Sequence, residues 1–200
     1  TETDDPALTS LSGARGITIA FENVWFSSDA PGTADDQRRW VLKGVSFRAR
    51  PGQTVALVGH TGAGKTTIVN LLLRFYDPQR GRITVNGVDT RHVPVERLRA
   101  LIGYVQQDIF LFAGDVAGNI RLSAPLTDAE VERAAARVGA DRIIRRFPDG
   151  YAHPLGERGG SVSVGERQLL SFARAIAADP AVLVLDEATS SLDAESEAAV

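Results

Sequence analysis

The sequence predicts an α/β fold with three parts: a core built on a parallel sheet, an antiparallel β subdomain at the N-terminal side, and an inserted α-helical subdomain. Three observations predict it. The apolar run Val55-Ala56-Leu57-Val58 leads into a glycine-rich stretch, Gly59 to Thr67, and then into the helical pattern Ile68 to Leu73. A continuously apolar run, Ala181 to Leu185, ends in Asp186-Glu187, as a strand buried on both faces would. Between the two, roughly residues 110–175 read as helical and interrupt the α/β alternation.

In chain order, residues 1–15 are small and polar without a usable period, and are expected to form a linker or disordered tail. Residues 16–200 form one domain in this reading. Ile17 to Phe26 alternates and carries β-branched and aromatic residues, which argues a strand. A Gly-, Pro-, Asp- and Ser-rich loop, Ser27 to Arg39, separates it from a second strand, Val45 to Arg50. Pro51-Gly52 turns into the expected strand at 55–58. Pro78 ends the helix after the glycine-rich stretch. Arg82 to Val88 reads as a hairpin, because Asn86-Gly87 suits a two-residue type I′ turn. Pro94 to Leu101 suggests a short helix, and Ile102 to Val105 a buried strand. Thr127-Asp128-Ala129-Glu130 has capping-box spacing, with Gly139 placed to end the helix it starts. Asp141 to Phe147 suggests another short helix, closed by Pro148-Asp149-Gly150, and Leu169 to Ala178 an amphipathic one.

Composition sets bounds on function. The 200 residues are 44% hydrophobic and 24% charged, enough for a globular core. A net charge of −3 gives no sign of a nucleic-acid surface. The absence of Cys excludes disulfide and thiol chemistry. No apolar run approaches the ~18–20 residues of a membrane helix, so the chain itself is expected to be soluble. There is no Met, and the chain is expected to be a piece of a longer or processed polypeptide.

The spacing Gly59-x-x-x-x-Gly64-Lys65-Thr66 fits the P-loop pattern in its strand-to-helix context and gives the core its P-loop NTPase reading. The site runs through Gly59, His60, Thr61, Gly62, Ala63, Gly64, Lys65, Thr66 and Thr67. Its glycines let backbone N–H groups turn inward around phosphate oxygens, and the following helix adds its positive end. Lys65 would reach the terminal phosphates and the Thr66 hydroxyl would ligate Mg²⁺. In an open α/β sheet, ligands lie beyond the carboxyl ends of the strands, which is where Asp186-Glu187 falls. Asp186 would hold Mg²⁺, through water or directly, and Glu187 would act as general base on the attacking water. Ser163-x-x-Glu166 scores as a capping box, and a helix start of that kind is also an anion receptor. His60 occupies a variable P-loop position; His92 and His153 fall in loops without metal-ligand spacing.

The order of these motifs resembles the nucleotide-binding domain of ATP-binding cassette (ABC) transporters. It comprises the P-loop, Gln107 after a strand, a Ser-x-Gly helix start, an apolar strand ending Asp-Glu, and Ser190-Ser191-Leu192-Asp193. Trp40 to Phe47, Phe110-Leu111-Phe112 and Gly156-Glu157-Arg158-Gly159 look like the exporter type, in which a transmembrane domain precedes this one in the same polypeptide. The resemblance implies an ATPase at the cytoplasmic face of the plasma (inner) membrane, working as a head-to-tail dimer with a second nucleotide-binding domain, identical or not. ATP would be sandwiched between one P-loop and the partner's signature helix, Gln107 would sense Mg²⁺ and the nucleophilic water, and Ser163 and Gly165 would contact the partner's γ-phosphate. Asp193 would end the loop that crosses the dimer interface, and 156–159 would lie near the membrane domain.

Three departures from the family pattern stand out. The signature Leu-Ser-Gly-Gly-Gln reads Val162-Ser163-Val164-Gly165-Glu166. The adenine-stacking aromatic expected two residues after Phe26 is Ser28, leaving Trp25, Phe26 or Trp40 to replace it. The H-loop histidine is expected beyond Val200. Two other readings stand beside a transport ATPase: a degenerate regulatory half, which Ser28 and the altered signature motivate, and a soluble ABC ATPase outside transport, which Phe110-Leu111-Phe112 and Gly156-Glu157-Arg158-Gly159 disfavour.

Overall fold

A computed structural model describes residues 16–30, 32–122, 124–156 and 162–186. The chain divides into two compact units, Thr1–Arg99 and Ala100–Val200. The expected tail at 1–15 lies outside the described residues.

The first unit is organised by a four-stranded antiparallel sheet in the order β2-β1-β3-β4. Its strands are β1 (Ile19–Ser27), β2 (Trp40–Ala49), β3 (Arg80–Val85) and β4 (Val88–Asp89). The β3–β4 hairpin turns on Asn86 and Gly87 with φ of 50° and 83°, the doubly left-handed turn that Asn-Gly favours. Ile19, Phe21, Val24, Phe26, Ile83 and Val85 are buried. Helices α1 (Lys65–Leu72) and α2 (Val95–Ala100) follow the glycine-rich loop and the hairpin respectively.

β1 bulges at Asn23, where the register slips against both neighbours and φ reaches 49°. Gly81 of β3 passes so close that a Cβ would sit 2.2 Å from the Asn23 carbonyl oxygen and 2.4 Å from that of Glu22, at a φ of +76°. Both obstacles are backbone, so neither can move aside without breaking the ladder. Gly81→Ala is expected to destabilise this sheet by roughly 2–4 kcal/mol, from strain and overpacking together. A urea-unfolding midpoint that stays at the parent value would refute this account.

One expected strand is absent. Residues 53–60 form no ladder with any described strand, and Val58 is 94% exposed. A parallel strand exists only through its neighbours, and the strands of this unit pair antiparallel among themselves. The apolar run at 55–58 therefore has its strand composition without strand pairing.

The second unit carries the parallel pair β5 (Ile102–Val105) and β8 (Val182–Leu185), registered from Ile102↔Val182 to Val105↔Leu185. Leu183 and Leu185 are 43% and 42% exposed, so β8 is covered on one face, contrary to its uniformly apolar sequence. Four helices surround an apolar core: α3 (Val116–Arg121), α4 (Asp128–Arg137), α5 (Ala140–Ile144) and α6 (Val164–Ala177). Leu111, Val116, Ile120, Val131, Ile144 and Leu170 fill it. A short antiparallel pair, β6 (Gly114–Asp115) with β7 (Pro154–Leu155), closes one side.

The starts of these helices are fixed by side chains. Thr127 and Glu130 form the capping box expected for α4, and Asp115 caps α3 by accepting from the Gly118 N–H. Gly139, at φ 72°, sits between α4 and α5 where a left-handed residue is required.

Candidate nucleotide-binding site

The glycine-rich loop closes on itself through tight backbone approaches. A Cβ on Gly59 would lie 2.9 Å from that of Ala63, and one on Gly64 would meet Leu42 of β2 at 2.8 Å. Gly64 is left-handed, with φ 91°, and is the N-cap of α1. The Ala63 N–H donates to the His60 carbonyl and the Ile68 N–H to that of Gly64, so loop and helix form one continuous turn. Lys65, the first residue of α1, folds back over the loop, and its ammonium donates to the carbonyls of Gly59 at 2.7 Å and His60 at 3.2 Å. The His60 ring lies against the Thr61 carbonyl at 2.8 Å.

The electrostatics of α1 set it apart. A helix start concentrates positive potential, which proteins ordinarily offset with a polar cap or an acidic side chain. α2 has Glu96, α3 has Asp115, α4 has Asp128 and Glu130, α5 has Asp141 and α6 has Glu166. Among the described α-helices, α1 alone has neither a side-chain cap nor an acid in its first turn, and it adds the Lys65 ammonium. Such an uncompensated helix start suits an anion, and Gly62, Thr66 and Thr67 belong to the same stretch of chain.

In the second unit, Gln107 and Asp186 emerge at the same end of the β5–β8 pair. The Asp186 N–H continues the ladder by donating to the Val105 carbonyl at 3.0 Å. The Tyr104 hydroxyl donates to the Asp186 carboxylate at 3.4 Å. Burial first, then the Asp186 charge and this bond, push the Tyr104 phenol above its ordinary pKa. Sequence reasoning did not single out Tyr104; a tyrosine on the strand beside the one that ends in Asp186 is the signal that points to it. Glu187, Asp193 and the segment 157–159 lie outside the described residues.

Ser163 caps α6 and Gly165 lies in its first turn. The Ser163 hydroxyl accepts from the Glu166 N–H at 3.3 Å, while the Glu166 carboxylate accepts from the Ser163 N–H at 2.7 Å. The carboxylate at the fifth signature position is thus turned back onto its own helix start. The Ser163 hydroxyl, used as an acceptor, keeps its proton to donate.

The aromatic side chains near Ser28 are engaged elsewhere. Trp25 and Trp40 meet edge to face at 5.4 Å, and the Arg80 guanidinium covers both rings. Phe26 is buried against Tyr76. None of His60, His92 and His153 belongs to a metal-binding cluster among the described residues.

Known proteins resemble this chain over most of its length. Residues 42–190 match the family described as ABC transporter. The putative ABC transporter ATP-binding protein exp8 of Streptococcus pneumoniae is 45% identical over 91% of this chain and 30% of its own length. A fatty acid ABC transporter ATP-binding/permease protein of Mycobacterium bovis is 45% identical over 96% of this chain and 29% of its own length. The solved structure of a bacterial Atm1-family ABC exporter with ATP bound superposes with a TM-score of 0.82 at 42% identity, covering 91% of this chain and 31% of that one. The chain therefore spans about a third of the length of such relatives.

Proposed function

Because this chain belongs to the ABC transporter family, we propose that it is the ATP-hydrolysing motor domain of an exporter. The full-length protein would carry a permease in the same polypeptide. No described helix is long and apolar enough to cross a membrane. The motor would sit at the cytoplasmic face of the membrane and pair head to tail with a second nucleotide-binding domain.

The observation that carries this reading is the uncompensated start of α1 beneath Lys65. The triphosphate settles into the turn from Gly59 to Thr67, and the Lys65 ammonium exchanges its two carbonyl partners for terminal phosphate oxygens. Charge-assisted bonds of this kind are about twice as strong as neutral ones. Thr66, Asp186 and Gln107 are the oxygen donors that would hold Mg²⁺, a hard cation that keeps water ligands beside phosphates. When bound, that ion supplies charge stabilisation on the phosphoryl group. Glu187 takes the proton from the attacking water, and Gln107 orients that water. Ser163 donates its hydroxyl proton, and Gly165 its backbone N–H, to the γ-phosphate held by the partner copy. Catalysis is positioning plus electrostatics.

Phosphate release from Mg²⁺-ATP by the full-length protein tests the proposal. Turnover on the order of 1–100 s⁻¹ is expected at saturating ATP, the span typical of phosphoryl-transfer enzymes. ATP binding without release would instead favour a regulatory, non-hydrolysing half, the reading that Ser28 and the altered signature keep in play.

A further inference from the structure

Tyr104 carries a hydroxyl that the mechanism above leaves without a task. It lies in β5 opposite Val184 of β8, and its hydroxyl reaches forward along the sheet to Asp186, the residue that follows β8. The pleat sets its direction. Gly103 and Val105 face α6 and the helical core: Val105 is fully buried, and a Cβ on Gly103 would lie 2.3 Å from the Ala175 carbonyl oxygen. Successive residues of a strand point to opposite faces, so Tyr104 projects from the other side. The strand that carries the hydroxyl is thus held from behind by close backbone contact.

Asp186 is held at two points. Its N–H donates to the Val105 carbonyl at 3.0 Å, which fixes the main chain where the ladder ends. The Tyr104 hydroxyl, 3.4 Å from Oδ2, fixes the carboxylate. This second bond is long beside the roughly 2.5–2.7 Å of a strong hydroxyl-to-carboxylate bond, so it orients the group more than it draws off its charge. The kind of donor matters as well. A phenol is neutral and leaves the carboxylate its full charge for a cation, whereas an arginine or lysine in its place would compete with that cation.

We propose that Tyr104 is a positioning residue for Mg²⁺: it keeps the Asp186 carboxylate in one orientation, so that the oxygen donor is set before metal and nucleotide arrive. The inference rests on the reading of Asp186 as a Mg²⁺ donor in a nucleotide site. Groups that hydrogen-bond a metal ligand commonly contribute about 10–100-fold in metal affinity, and the length of this bond puts Tyr104 at the low end. A bond that only tied β5 to β8 would act on stability alone, with or without metal.

The test uses the full-length protein and a fluorescent ATP analogue, titrated once with Mg²⁺ and once with EDTA. The ratio of the two affinities measures the coupling between metal and nucleotide. Tyr104→Phe, which removes a single oxygen atom, is expected to lower that ratio about tenfold and to leave the affinity in EDTA within about twofold. An unchanged ratio overturns the proposal, as does an equal loss in EDTA, the mark of a damaged fold. Should the phenylalanine variant fail to fold, 4-methoxyphenylalanine at 104 fills the site without a donor and carries the same expectation. 4-Aminophenylalanine keeps a neutral donor there and is expected to return most of the lost ratio; no recovery would rule out the hydrogen bond as the cause. Asp186→Asn is expected to lower the ratio by itself, and adding Tyr104→Phe to it to change nothing further, because a residue that acts through Asp186 has no effect once that carboxylate is gone. Additive losses would show that Tyr104 acts independently and end the proposal. In phosphate release, the half-saturating Mg²⁺ concentration of Tyr104→Phe is expected to rise about tenfold, with kcat at saturating Mg²⁺ within about twofold. A parent protein that binds no analogue in either titration would sink the nucleotide-site reading and this proposal with it. A parent whose affinity depends on Mg²⁺, beside a phenylalanine variant with the same ratio, would sink the role of Tyr104 alone.

Discussion

Replacing Lys65 with alanine is expected to weaken ATP binding by about 10–100-fold, the loss of a charge-assisted contact worth roughly 1.5–3 kcal/mol. Turnover is expected to fall further, by about 10²–10³-fold, because the ammonium meets more negative charge in the transition state than in the bound substrate. The same change should leave folding nearly untouched. Lys65 spends its ammonium on two carbonyls at an exposed loop, and both can turn to water. A melting temperature close to the parent value, together with lost ATP binding in a titration, is the expected pair of results. Parent-like ATP affinity in the alanine variant would remove the P-loop assignment.

Glu187→Gln is expected to behave in the opposite manner. The amide keeps the size of the side chain but is no base, so ATP should bind with parent affinity while turnover drops by about 10²–10⁴-fold, the usual contribution of general base catalysis. With hydrolysis blocked, two copies should remain closed on two ATP molecules, visible as a nucleotide-dependent dimer in size-exclusion chromatography of the detergent-solubilised motor. Phosphate release at the parent rate would exclude Glu187 as the base. The two variants test different links, since one empties the site and the other fills it without consuming the substrate.

Features whose physics is local could be read from the sequence directly. Asn86-Gly87 specifies its turn because those two residues tolerate positive φ, and both adopt it. Thr127 with Glu130, and Ser163 with Glu166, are three residues apart, and both close their boxes. Ile102–Val105 and Val182–Leu185 each form a strand where an apolar run is read as one, although their pairing with each other is not foreseen. The antiparallel sheet, the parallel pair and the helical interruption accordingly follow the predicted α/β plan. Features that depend on distant partners were not legible. The run 55–58 has strand composition, but composition does not supply a neighbouring strand. β2 starts at Trp40, five residues earlier than its alternation suggests, because Ser27 pairs with Trp40 across the loop. The hydrogen bonds of Arg174 to Asn119 and Phe110 span 55 and 64 positions, and no spacing rule connects them. The missing cap on α1 could have been read in advance: glycine at the N-cap with no acid after it is visible in the sequence.

The exposed run before the P-loop also bears on how the chain behaves in concentrated solution. From Gly52 to Gly64 there is no Asp, Glu, Lys or Arg, and Val55, Leu57 and Val58 face solvent. An uncharged, β-branched, proline-free segment left unpaired is the kind that stacks onto copies of itself. Colloidal stability of this chain is therefore expected to respond to five residues, Thr54 to Val58, as well as to its net charge, and a charge introduced there is expected to raise the concentration at which light scattering first appears. Crowding, warming or high salt would recruit that segment first, making the approach to the phosphate loop also the point where self-association begins.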